Sequence, residues 1–414
     1  MNKLNSIMSY LVCLYIFILP ILPSKFKYKN IPINGDSVLA IIIVVYLVNI
    51  IINEESRKRF VKGIKNFFSS YNSVFLFLWV IMMGISVIYA TDKKLAVQEC
   101  IRMSTYIILF FIIKYQMYKK EMINRIIYSC ICMSFIVGII GIYEYLVGTG
   151  LSHKGEFESV IRVASTLENS NNLGAFFVLM IFPFIILAIK EKDRWRKSLF
   201  IILSIIAFSN IIMSFSRNAW LALIIGYITL IFIFDYKLIY GAIVGSIGIL
   251  FIPKIANRLK EVGDLSQNLS RLSLWEIAIK MIKDNPILGV GSGNYRTLYP
   301  KYYNKIKHLT HYKAQANFHP HNAYLKAQCE LGVVGFISLI GFLISSLIKT
   351  NRFSNNVDNN FYRHFYKGFT ASTVAFMFMN FIDNFFSAPK VVAFFFIFLA
   401  ISDSYSYNIE NKSL

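Results

Sequence analysis

Charge is what this chain has least of. Of 414 residues only 16% are charged, and 22 Asp and Glu face 43 Lys and Arg. With 56% hydrophobic residues and a mean hydropathy of +0.55, the chain cannot present a water-facing shell around a soluble core. Cysteine is also scarce. Cys13, Cys130 and Cys132 fall in apolar runs, and Cys100 and Cys329 stand alone, which excludes a disulfide framework or a metal knuckle. No internal repeat is visible, so a solenoid is excluded and the paired halves of a carrier are not expected. The run from Ile7 to Leu22 lacks a strongly basic leader and a small-residue cleavage site, and reads as a retained first helix.

What is present is a succession of apolar runs, each long enough to cross a hydrocarbon layer of about 30 Å. They fall near 7–23, 37–52, 73–90, 101–118, 126–147, 172–189, 198–215, 218–234, 238–253, 322–348, 367–384 and 389–404. The expected fold is therefore all-α: one integral membrane domain over 1–414 with about twelve spanning helices. The first two runs also fit a re-entrant pair, with Lys25, Lys27 and Lys29 between them. The net charge of +21 would suggest nucleic acid on a soluble protein. Here the basic residues sit in short connections, which points to lipid headgroups and anionic lipid-linked substrates and away from nucleic acid.

Lys and Arg concentrate in every second connection, as in Arg57, Lys58, Arg59, Lys62 and Lys65, or Lys190, Lys192, Arg194, Arg196 and Lys197. That bias places those connections and both termini in the cytoplasm. A single long connection, 254–321, then falls on the outer face, where long loops usually carry function. Inside it, Leu272, Trp275, Ile279 and Ile282 have helical spacing up to Asp284, and Asn285 with Pro286 ends the helix.

Four polar clusters share the outer face: Arg162 with Asn169 and Asn172, Arg217 in SFSRNAW, Arg271, and the histidines of HPHN. A guanidinium at the membrane boundary suits a phosphate through paired, charge-assisted hydrogen bonds. Arg217 also fits an arginine reaching for headgroups, and Arg271 a solvated charge at a helix start. Pro320 is suited to the first position of the tenth helix, which would put His321 in the first turn as a neutral general base. The bland alternative for His321 is a boundary or capping histidine. His308, His311, His319 and His321 also allow zinc, although no carboxylate or cysteine in that loop completes a familiar set. GVGSG at Gly289–Gly293 reads more simply as a turn closing the preceding helix than as a phosphate cradle. Glu330 is expected to hold a helix interface, and Asp383, near the outer end of its helix, to orient His321 or an acceptor sugar.

At these residues the chain resembles the O-antigen ligase and O-antigen polymerase superfamily of membrane glycosyltransferases. The likeness rests on RVASTLENSNN, SFSRNAW, the Arg-x3-Trp helix ending in NPILGVGSGN, and HNAYLKAQCELGVVG. The resemblance implies a metal-independent, cofactor-free inverting transferase with a fold of the lipid-dependent glycosyltransferase type. Arg217 and Arg271 would bind the diphosphate of a polyprenyl-linked glycan donor, and His321 would activate the acceptor hydroxyl. Arg162, Asn169, Asn172, His319, Asn322 and Asp383 are supporting substrate-binding candidates. The expected setting is the outer face of a bacterial cytoplasmic membrane, with membrane lipids and a possible chain-length regulator as partners. The acceptor is expected to be another glycan repeat, making the protein a surface-polysaccharide polymerase. Lipid A core (ligase) and a protein hydroxyl (protein glycosyltransferase) are the alternatives, and a transporter of the same lipid-linked glycan is the rival from another class.

Overall fold

The computed structural model describes residues 3–24, 26–29, 31–154, 159–241, 265–305 and 319–408. Among the described residues the fold is all-α apart from two short antiparallel ribbons, β1 (Lys27–Tyr28) with β2 (Ile31–Pro32) and β3 (Leu151–Lys154) with β4 (Ser159–Arg162). Among the described residues, nine helices are long and apolar enough to cross a bilayer. Seven of these come first: α1 (Lys3–Ile21), α2 (Gly35–Ile52), α4 (Tyr71–Tyr89), α5 (Lys93–Gln116), α6 (Lys120–Val147), α7 (Ser170–Lys190) and α8 (Arg194–Met213). The apolar α9 (Arg217–Ile233) is shorter. The ninth expected run, 238–253, lies outside the described residues from position 242, as do His308 and His311.

The remaining elements are α3 (Glu54–Phe68), α10 (Leu265–Asp284), α11 (Asn294–Tyr303), α12 (Ala323–Asn356), α13 (Asn360–Ile382) and α14 (Pro389–Asn408). The first two runs form separate helices packed against each other and joined by the β1–β2 ribbon. Where a plain connection was expected, residues 54–68 form the amphipathic helix α3. Its Ser56, Gly63 and Phe67 are buried, and Lys58, Lys62 and Lys65 are exposed. Hydropathy misses such a helix because half its surface is polar.

Helix ends inside a membrane protein must satisfy their free N–H groups internally. Asn and Asp side chains do so repeatedly here. Asp92 caps α5 by accepting from Leu95, Asn169 caps α7 by accepting from Asn171, and Asn359 caps α13 by accepting from Phe361 and Tyr362. In the centre, α7 packs on α8 and α13, and α14 packs on α5. The two most enclosed of the spanning helices are α7 and α14, most of whose apolar positions are buried as expected of a bundle core.

The second half carries the device that fastens the segment around 285–295. Helix α12 breaks at Gly332, where φ is +65° and an added Cβ would lie 1.9 Å from the Ile287 carbonyl oxygen. The break frees carbonyls, and loop amides take them: Val290 N–H donates to Cys329 O and Gly291 N–H to Glu330 O, both at 2.9 Å. The Glu330 carboxylate accepts from Gly293 N–H (2.7 Å) and Tyr295 N–H (3.4 Å) and lies 3.5 Å from Lys326. GVGSG is therefore a closing turn whose amides serve α12, and Glu330 locks that turn in place. A broken helix is also a trait of carriers, but here it accommodates the protein's own loop. Below the lock, Leu274, Ile277, Ala278 and Met281 of α10 pack on Tyr295, Tyr299 and Cys329 in a small core of their own.

Candidate active site

The SFSRNAW segment makes the corner between α8 and α9. Phe215 takes a left-handed backbone (φ +46°), costly for a bulky residue, and its surroundings hold it there. Trp220 donates its indole N–H back to Ile211 O (3.0 Å), and Ser216 caps α9 through Ala219 N–H. This corner sets Arg217 as the first residue of α9. Arg271, expected at a helix start, lies in the second turn of α10, which begins earlier at Leu265. Both arginines line one cavity of about 280 Å³, together with Asn218, Leu221, Leu272, Trp275 and Ile382. Among the described residues, the buried Trp275 Nε1 has no hydrogen-bond partner.

Ile382 leads directly to the histidine. Asp383 caps the end of α13, and its Oδ1 lies 2.9 Å from His321 Nδ1. The backbones are tied as well, Ala323 N–H donating to Asp383 O at 3.1 Å. Phe381 packs between Trp275 (5.8 Å) and Tyr324 (6.4 Å), joining the wall of the arginine cavity to α12.

The expected setting of His321 is corrected here. Asn322, not a residue before Pro320, caps α12, its side chain accepting from Tyr324 N–H (3.0 Å) and Leu325 N–H (2.9 Å). Pro320 and His321 precede the helix, and His321 itself is left-handed (φ +47°). The first-turn amides are spent on Asn322 and on Asp383 O, so the partner that organises the imidazole is a carboxylate and not a helix terminus. Burial alone would raise the Asp383 carboxyl, but the hydrogen bond and charge of His321, with His319 nearby, hold it below its usual range. His319 packs against His321 with ring centres 4.1 Å apart and planes tilted by 44°, and its Nδ1 accepts from His321 N–H at 3.3 Å. Burial, reinforced by the His321 ring, pushes His319 down to about 4.

The RVASTLENSNN segment reaches the same place by one residue not singled out in advance. Asn169 is a helix cap, and Asn172 donates to Leu167 O at 3.3 Å. Asn171 instead accepts from Arg162 (2.8 Å) and donates to Asp383 Oδ2 (3.4 Å). Arg162 Nε also donates to Ser214 O at 3.1 Å, in the corner that carries Arg217. The asparagine register could be read only from the cap: once Asn169 is the capping residue, Asn171 lies one turn-step inside.

His319, His321 and Asp383 could also hold a metal ion, their ligand atoms lying within 4.8 Å of one another. The carboxylate that the loop lacks comes from the far end of α13. Two imidazoles and a carboxylate fit zinc. The His321–Asp383 contact equally satisfies both groups without an ion.

The model of the O-antigen ligase family matches residues 202–340, which contain Arg217, Arg271, His319, His321 and Asn322. Arg162, Asn171 and Asp383 lie outside the match and come to it through the fold. An uncharacterized protein of Haemophilus influenzae is 26% identical over 265 residues, covering 58% of this chain and 63% of that protein. The chain thus spans under two thirds of that relative's length. In this multi-pass helical membrane protein, the segment 202–340, which carries both arginines and the histidine pair, is similar to the O-antigen ligase family.

Proposed function

We propose that the protein is a surface-polysaccharide polymerase that transfers a glycan from a polyprenyl diphosphate to the hydroxyl of another lipid-linked glycan on the outer face of the membrane. The observation that carries this reading is the pair of arginines on one cavity, with the His321–Asp383 pair at the next residue along its wall. Two guanidiniums match the charge and geometry of a diphosphate.

In the proposed reaction His321 Nδ1–H donates to Asp383, which leaves the Nε2 lone pair to accept the acceptor's hydroxyl proton. The acceptor oxygen forms a bond to the anomeric carbon as the carbon–oxygen bond to the diphosphate breaks. The bonding pair leaves with polyprenyl diphosphate, whose growing charge Arg217 and Arg271 stabilise. One displacement inverts the anomeric centre. Fixed cationic donors of this kind contribute about 3–4 kcal/mol each where single oxyanion donors have been removed. Both charge and proton are handled by side chains, so the reading requires no metal.

The test is purified protein incubated with polyprenyl-diphosphate oligosaccharide in EDTA. Longer lipid-linked glycan with an equal amount of free polyprenyl diphosphate supports the proposal. Unchanged donor, or activity that returns only with zinc, overturns it.

A further inference from the structure

We infer that Asn171 is a positioning residue for the transfer reaction, holding Asp383 so that His321 keeps its proton on Nδ1. The inference rests on His321 being the base, and it adds a residue and a direction of action to that reading.

The chain of contacts has only one consistent set of donors. Arginine has no acceptor, so the Asn171 atom facing Arg162 at 2.8 Å is Oδ1. The atom facing Asp383 is then Nδ2, a donor, and Asp383 Oδ2 must accept. Asp383 Oδ1 already accepts from its neighbour Asn384 N–H at 2.9 Å. Both oxygens thus face N–H donors, and these bonds with the neighbouring imidazoles hold the carboxyl below its usual range, so it is ionised and the imidazole nitrogen 2.9 Å from Oδ1 carries the proton. Asn171 thus fixes the carboxylate's rotation from the side opposite His321. Arg162 fixes Asn171, and Ser214 O fixes Arg162.

The anchoring point gives the chain a second consequence. Ser214 begins the strained corner that ends at Arg217, so the elements holding the proton acceptor and one cavity arginine share a connection through Arg162. Asn171 is not one of the cavity-lining residues, and its influence runs through its bond to Asp383. The link to Asp383 is the longest of the chain, which sets the expected effect at about tenfold in kcat, one hydrogen bond to a charged group.

Two measurements on the full chain in lipid nanodiscs test this. In the first, ¹⁵N-histidine spectra of wild type and Asn171→Ala are compared without substrate. Wild type should show His321 with its proton on Nδ1, and the variant a mixture of tautomers. In the second, kcat and KM are measured for Asn171→Ala, Asp383→Ala and the double variant. Asn171→Ala should lower kcat about tenfold with KM within twofold, and should have no further effect once Asp383 is alanine. An unchanged tautomer in Asn171→Ala overturns the inference even if the protein is not a transferase. Losses that multiply in the double variant overturn it even if His321 is the base. Should Asn171→Ala not fold, Arg162→Lys removes the directional guanidinium contact to Asn171 and is held to the same outcomes.

Discussion

Replacing Asp383 with asparagine keeps the shape of the side chain and removes its charge. The surroundings then oppose the amide in both orientations. If its NH2 replaces Oδ1, it meets the Asn384 N–H and the Nδ1 proton of His321. If its NH2 replaces Oδ2, it meets Asn171 Nδ2, which Arg162 keeps from turning. The second orientation is cheaper because the Asn171 contact is longer, so the variant should fold, losing about 1–3 kcal/mol for one opposed donor. Turnover should suffer more. At 2.9 Å a carboxylate attracts an imidazolium by about 6 kcal/mol at an effective dielectric near 20, before desolvation is charged against it. A net loss of about 3–5 kcal/mol corresponds to roughly a 10²–10⁴-fold fall in kcat. The same order follows when the aspartate of a serine protease triad is changed to asparagine. The assay is single-turnover release of polyprenyl diphosphate from a saturating lipid-linked donor, beside thermal unfolding of the same sample. A variant that retains more than a third of wild-type kcat would refute the claim that Asp383 stabilises a protonated His321.

Other consequences follow from the same geometry. His319 is held down to about 4 in the folded protein against about 6.5 in the unfolded chain, so between those values the unfolded state binds the extra proton. Stability should therefore be full above about pH 6.5 and fall as the pH drops toward 4, by on the order of 2 kcal/mol after discounting the partly exposed ring. His319→Gln should flatten that slope in unfolding midpoints taken across the range. Gly332→Ala should destabilise the loop at 285–295 and the helices it joins by several kcal/mol, because a Cβ there meets backbone and not a movable side chain. Faster proteolytic cleavage between α10 and α11 would register it. Trp275→Phe removes an indole N–H that pairs with nothing among the described residues, so stability should change by less than about 1 kcal/mol. If that N–H serves the donor, kcat/KM for the lipid-linked glycan should fall about tenfold in initial-rate assays.

Most of the helices were legible in the sequence because a hydrocarbon solvent demands long apolar runs, and few other patterns supply them. Helix α3 was not, since its exposed lysines hide the stripe that carries Phe67 into the core. Helices α12 and α13 run well beyond the apolar segments that announced them, meeting in a turn of only a few residues at 357–359. The gathering of Arg217, Arg271 and the histidines at one end of the bundle was legible from loop parity. Asp383 was legible as an acid at the same end that could orient His321 or an acceptor sugar, and the 2.9 Å contact selects His321. The true setting of His321 depends on Asn322 taking the cap, a choice between adjacent polar residues that tertiary contact decides. Asn171 was hidden for a related reason: three nearby asparagines look alike until the bonds of Arg162 and Asp383 distinguish one of them.

The central claim is that the cavity between α9, α10 and the end of α13 takes the donor's diphosphate beside His321. A structure of the protein with a non-cleavable polyprenyl phosphonophosphate glycan tests it most directly. The account predicts the two phosphorus centres between the guanidiniums of Arg217 and Arg271, with the anomeric carbon turned toward His321 Nε2. Diphosphate bound away from both arginines, with the cavity filled by acyl chains or left to solvent, would contradict it.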